Sequence, residues 1–89
     1  LRTKTAPTFI EDVKRLQSLG YDMAPLEYVI ELLADEKTLN RQYKDHSLRS
    51  KYAGMRECHI EDDWLLIYQV EKSILRLIAT GTHEHLFAG

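Results

Sequence analysis

The second half of the chain carries three apolar runs, Met55 to Ile60, Trp64 to Val70 and Ile74 to Thr80, parted by the polar triplets Glu61-Asp62-Asp63 and Glu71-Lys72-Ser73. Each run is rich in branched and aromatic residues, and each triplet has the length of a hairpin connection. Strands joined so closely must turn back on one another, which predicts a three-stranded antiparallel meander. Such a sheet has to bury one face, and the residues upstream of it offer a cover.

Those residues read as helices. Thr8 followed by Glu11 has capping-box spacing, and Ile10, Val13 and Leu16 then recur on one helical face, which predicts a helix from Thr8 to Leu19. Gly20 supplies the left-handed residue that ends it. Asp22 is placed to cap a second helix, Pro25 is tolerated in its first turn, and Leu26, Val29, Ile30 and Leu33 form its apolar stripe. The pair should form an antiparallel hairpin, and Arg2 to Thr5 could add an edge strand before it. The expected fold is α+β: a helix hairpin on a small antiparallel-rich sheet, one domain spanning residues 1–89.

Hydrophobic residues make up 44% of the sequence and charged residues 29%, the balance of a folded globular chain. Cys58 is the only cysteine, so no intrachain disulfide is expected. No apolar run approaches the roughly 20 residues of a membrane helix, and the first residues lack the apolar stretch of a signal peptide. These features predict a cytoplasmic protein with no membrane partner. The net charge of −2 conceals an asymmetry: residues 11–36 carry a local balance of −5 and residues 41–56 one of +4. The second segment could attract a polyanion, although solvated surface charge accounts for it equally well.

That basic segment, RQYKDHSLRSKYAG from Arg41 to Gly54, has lost the helical period and reads as a long loop, and loops of such length are commonly functional. It holds His46. His59 ends the first long strand, Asp63 lies in the turn after it, and His83 follows the third strand. In a meander the first and third strands run parallel, so their C-terminal ends reach the same edge, where His59, Asp63 and His83 could converge. Imidazoles beside a carboxylate suit acid–base chemistry near neutral pH. Zinc on His83, His85 and Asp63 is disfavoured by the spacing and by the lack of a cysteine pair, and no cofactor is called for. No serine sits in a nucleophile elbow. Solvated surface histidines remain the alternative, and His85 is read that way; Trp64 is assigned to the core.

The runs YKDH (43–46), GMRECHIEDDWLLIY (54–68) and ATGTHEHLF (79–87) together resemble the YafQ family within the RelE/ParE superfamily of bacterial type II toxins. Several motifs in order over the second half of the chain are a stronger sign than any one of them. The resemblance implies an endoribonuclease, an mRNA interferase, that cuts messenger RNA in the A site of the 70S ribosome. It implies attack by the ribose 2′-OH with a 2′,3′-cyclic phosphate product. A cognate antitoxin would neutralise the chain, and operator DNA would be met only through the toxin–antitoxin complex. The implied catalytic positions are His46, His59, Asp63 and His83, with Asp63 or His59 as base, His83 as acid and His46 on the phosphate. Phe87 would contact RNA, together with the bases of the loop, Arg41, Lys44, Arg49, Lys51 and Arg56.

The sequence departs from the family at Ala79, where the resemblance leads one to expect arginine before T-G-T-H. Loss of one charge-stabilising donor typically lowers a rate about 10²- to 10³-fold, so an attenuated enzyme is expected. Arg76 should be a poor substitute, because three residues along a regular strand it would point to the opposite face. The competing class is a non-catalytic module that works through antitoxin binding and operator repression, since the superfamily also holds gyrase inhibitors that lack this set of histidines.

Overall fold

A computed structural model describes residues 1–87. In chain order they form β1 (Arg2–Thr5), α1 (Pro7–Ser18), α2 (Ala24–Ala34), β2 (His46–Ser47), β3 (Arg56–Glu61), β4 (Trp64–Glu71), β5 (Ile74–Gly81) and α3 (His83–Phe87). The strands make one mixed sheet in the order β1-β5-β4-β3-β2. β3, β4 and β5 are the expected meander, and β1 joins its far edge parallel to β5.

The alternation of β4 shows how the two faces divide. Trp64, Leu66 and Tyr68 point to the helices and pack with Phe9 and Leu16 of α1 and Leu26, Val29 and Leu33 of α2. Leu65 and Ile67 point to the other, outer face, where they join Ala79 and Leu86 under Leu48, Tyr52 and Met55. A strand buried on both faces reads as a continuous apolar run, and WLLIY is one. Trp64 belongs to the core: its indole N–H donates to Thr80 Oγ1 at 2.9 Å, and Tyr21 meets its ring edge-on at 5.2 Å.

Three local expectations change. α1 starts at Pro7 with Ala6 as its N-cap and no side-chain cap, so Thr8 and Glu11 do not form a capping box. The Thr8 hydroxyl instead donates to the Ile78 carbonyl at 2.6 Å. That carbonyl lies at a β-bulge: Tyr68 pairs with Leu77 but Ile67 with Ala79, which leaves Ile78 as the extra residue. The bulge overturns the reading of Arg76. Leu75 and Leu77 face the helices while Ala79 faces outward, so Arg76 and Ala79 share the outer face. Thirdly, the basic segment is not a featureless loop. It has two short 3-10 turns, Arg41–Tyr43 and Ser50–Tyr52, and between them β2, which pairs antiparallel with β3.

Gly20 ends α1 at φ +89, as expected, and Asp22 accepts the Ala24 N–H at the start of α2. Among the described residues no helix is long and apolar enough to cross a membrane.

Candidate active site on the outer face

Register places the site before any side chain is considered. His46 pairs with Glu57, Glu57 with Ile67 and Ile67 with Ala79, a row across four strands on the outer face. The next row holds His59, Leu65 and Gly81. The chain then leaves β5 at Thr82 and starts α3 with His83. Thr82 Oγ1 accepts the His85 N–H at 3.1 Å and so caps this short helix.

His83 meets Asp63 twice. Its backbone N–H donates to Asp63 Oδ1 at 3.0 Å, and its Nδ1 lies 3.3 Å from the same oxygen. Because an ionised carboxylate only accepts, Nδ1 carries the proton and Nε2 is turned to the open side. The bond from the His83 backbone, then that from its ring, holds the Asp63 carboxyl below the usual carboxylate range. The His59 and His83 rings stand edge to face with centroids 5.7 Å apart. Phe87, one turn on, lies 5.9 Å from His83 and 5.6 Å from Tyr52.

Glu57 escaped the sequence reading. It is buried, with 4% of its surface exposed, and its Oε1 lies 3.5 Å from His59 Nε2 and 3.6 Å from His46 Nε2. A carboxylate this buried needs cationic or hydrogen-bonding partners, and these two imidazoles are within reach. The available signal was its place two residues before His59, which in a strand puts both on one face. Glu57, His59 and His83 also offer one ligand atom each within 4.8 Å of one another, a set that could hold a cation; zinc on His83, His85 and Asp63 has no such geometry among the described residues.

Asp45 anchors the segment that carries His46. It accepts the Tyr68 hydroxyl at 2.6 Å and both Nε and Nη2 of Arg56 at 3.3 Å. Burial, followed by the bond to Asp45, raises the Tyr68 hydroxyl, and the bond to Asp45 raises the Arg56 guanidinium. The Lys44 carbonyl then accepts His46 Nδ1–H at 2.7 Å, which aims Nε2 at Glu57.

The family model described as the bacterial toxin of type II toxin–antitoxin systems, YafQ, matches residues 1–88. The chain belongs to the YafQ family. It is 44% identical over 80 residues to the mRNA interferase toxin YafQ of Escherichia coli BL21-DE3, an alignment covering 89% of this chain and 87% of that one. The crystal structure of YafQ from the same strain superposes with a TM-score of 0.93 at 39% identity, covering 99% of this chain and 100% of that one. YafQ in the E. coli DinJ–YafQ complex matches with a TM-score of 0.91 at 40% identity, covering 99% and 100%. The chain is thus a YafQ-type toxin of a type II toxin–antitoxin system, of the mRNA interferase class.

Within this YafQ fold the sequence-derived residues have different surroundings. His46, His59, Asp63 and His83 gather on one edge of the outer face, and Phe87 stands beside them. Arg41, Lys44, Arg49 and Lys51 are exposed on the segment around β2, with Lys51 Nζ 5.2 Å from the Tyr52 ring centre. Arg56 is held by Asp45 at 3.3 Å and by Ser47 Oγ at 3.1 Å. Ala79 is 6% exposed beneath Leu86, in the row that begins with His46 and Glu57. His85 is not simply solvated: its Nε2 lies 3.1 Å from Asp12 Oδ1.

Proposed function

We propose that this toxin cuts messenger RNA on the ribosome by transfer of the scissile phosphate to the adjacent ribose 2′-oxygen. The observation that carries the reading is the His59–His83 pair, two facing imidazoles each backed by its own carboxylate, Glu57 and Asp63. His59 takes the 2′-OH proton, and Glu57 stabilises the imidazolium that forms, as a buried carboxylate does behind a general base. The 2′-oxygen then attacks phosphorus, the bond to the 5′-oxygen breaks, and the imidazolium of His83 gives that oxygen its proton from Nε2. Products are a 2′,3′-cyclic phosphate and a 5′-OH. Asp63 is better suited to orienting His83 than to acting as base, because the bonds from His83 weaken its basicity. His46 and the exposed Arg41, Lys44, Arg49 and Lys51 supply positive charge to the phosphate backbone. Phe87 offers an aromatic face for a base, a contact worth about 1–3 kcal/mol where it forms.

Ala79 leaves the outer face without the arginine that the family motif leads one to expect, so the rate is reduced rather than abolished. A cognate antitoxin is the expected partner, by analogy with the DinJ–YafQ complexes. Operator DNA is reached only through that complex.

Cleavage mapping on programmed 70S ribosomes tests the reading. Cuts in the A-site codon with cyclic phosphate ends, lost in His83→Gln, support it. Messages left intact by both this chain and its Ala79→Arg variant would instead favour a toxin fold that works by antitoxin binding alone.

A further inference from the structure

α3 has five residues, far short of the roughly 12–15 at which an isolated helix becomes even marginally stable in water. Yet it places both His83 and Phe87. Its start is fixed by Thr82 and Asp63, and its outer side by Leu86, whose carbonyl accepts the Tyr52 hydroxyl at 3.2 Å. The remaining tether runs to the other side of the molecule. His85 Nε2 reaches Asp12 of α1 at 3.1 Å.

Asp12 is an unusual residue to find at that end. It is 6% exposed, and its carboxylate joins three elements. Oδ2 accepts the Thr80 N–H of β5 at 3.0 Å, while Oδ1 accepts Arg15 Nη1–H at 3.0 Å and His85 Nε2–H. Arg15 neutralises the buried charge, without which the carboxylate would be expensive to keep. Its Nη2 is buried and has no partner among the described residues, and it lies over Gly81. A Cβ built on Gly81 would come within 3.1 Å of that nitrogen and 3.4 Å of His85 Cδ2, and Gly81 has φ +155. The glycine of the T-G-T-H run therefore makes room for the guanidinium and the imidazole that pack against it.

We infer that Asp12, Arg15 and His85 form a positioning cluster that sets the pose of α3 and hence the distance of His83 from His59. The inference rests on the nuclease reading above for its consequence, and on geometry alone for the cluster itself. His85 touches no substrate. It acts through α3, and its Nε2–H is the feature that matters, because only a donor can satisfy the Asp12 oxygen.

The experiment compares His85→Ala with His85→Gln, whose amide can present a donor close to the position of Nε2. In single-turnover cleavage on programmed ribosomes, His85→Ala should lower the maximal rate about tenfold and leave the half-saturating toxin concentration within about twofold, as misplacement of a catalytic group does. His85→Gln should recover most of the rate. In parallel, hydrogen exchange of the His83 amide, which is bonded to Asp63, should accelerate in His85→Ala and return in His85→Gln. An unchanged rate, an unchanged amide or a failure of glutamine to rescue would overturn the proposal. If the parent chain cuts no message at all, the nuclease reading fails, and the amide exchange decides the cluster by itself.

Discussion

A single oxygen of Asp63 holds His83 by two handles, the backbone N–H at 3.0 Å and ring Nδ1 at 3.3 Å. The carboxyl is consequently held below its ordinary value. For a carboxylate with a depressed folded pKa, the stabilisation is complete above the unfolded value of about 3.9 and is lost as pH falls through the folded one. Urea midpoints of the parent chain and Asp63→Asn should therefore differ at pH 6 and converge as the pH is taken below 3. A difference that persisted undiminished in acid would mean that the charge of Asp63 is not what holds α3.

His83→Gln should remove the proposed proton donor without disturbing the fold. The His83 side chain is 56% exposed, so stability should stay within about 0.5 kcal/mol of the parent. The cleavage rate should fall by about 10²- to 10⁴-fold, the usual contribution of a general acid. Time courses on programmed ribosomes beside a thermal melt separate the two effects.

Ala79→Arg should raise cleavage by about 10²- to 10³-fold if the missing charge is what limits the rate. The side chain must pass Leu65, Ile67 and Leu86, and overpacking of this kind typically costs about 1–3 kcal/mol, so a lower melting temperature should accompany the gain. Arg76, on the same face and about 7 Å along β5 from Ala79, provides the control. A loss of activity in Arg76→Ala with no gain in Ala79→Arg would show that Arg76 already supplies the charge.

Asp45→Asn should loosen the segment that bears His46. It removes a charged acceptor from the Arg56 guanidinium and the Tyr68 hydroxyl, and bonds to charged groups are worth about 1.5–3 kcal/mol each. Protease nicking between Arg41 and Lys51 should increase, as should the amide exchange of β2, while β4 and β5 stay protected.

Cys58 should be inert in the native state. It is fully buried, and burial pushes its thiol up to about 12. Alkylation by iodoacetamide at pH 8 should proceed only through opening of the sheet, at a rate that rises with urea. Rapid labelling in native buffer would contradict the packing of β3 against the helices.

Much of the architecture could be read from the sequence because the meander constrains itself. Two short turns oblige β3, β4 and β5 to pair in order, and from that pairing alone His59, Asp63 and His83 were expected at one edge, where they lie. Glu57 is legible by parity, since its separation from His59 puts both on one face of a strand. Other features could not be read locally. Nothing in ILRLIAT marks Ile78 as a bulge, because that depends on which residues of β4 it faces. The roles of Thr8, Asp12 and His85 depend on β5 approaching α1, and Thr8 looked like a helix cap until the Ile78 carbonyl claimed its hydroxyl. Ser47 and His46 form a strand only because Asp45 is fastened to Tyr68 and Arg56, residues far along the chain.

The extra residue at Ile78 works as a change of phase within β5. Before it, odd-numbered side chains serve the helix layer; after it, even-numbered Thr80 does, and Ala79 is released to the outer surface. One inserted unit thus lets a single strand serve two clients, the hydrophobic interior along its first half and the reactive surface along its second. Straightening β5 so that Ile78 took a place in the ladder would leave its composition intact and invert the allegiance of its second half. Thr80 would swing away from Trp64, and the helix that follows would be delivered to the wrong side of the sheet.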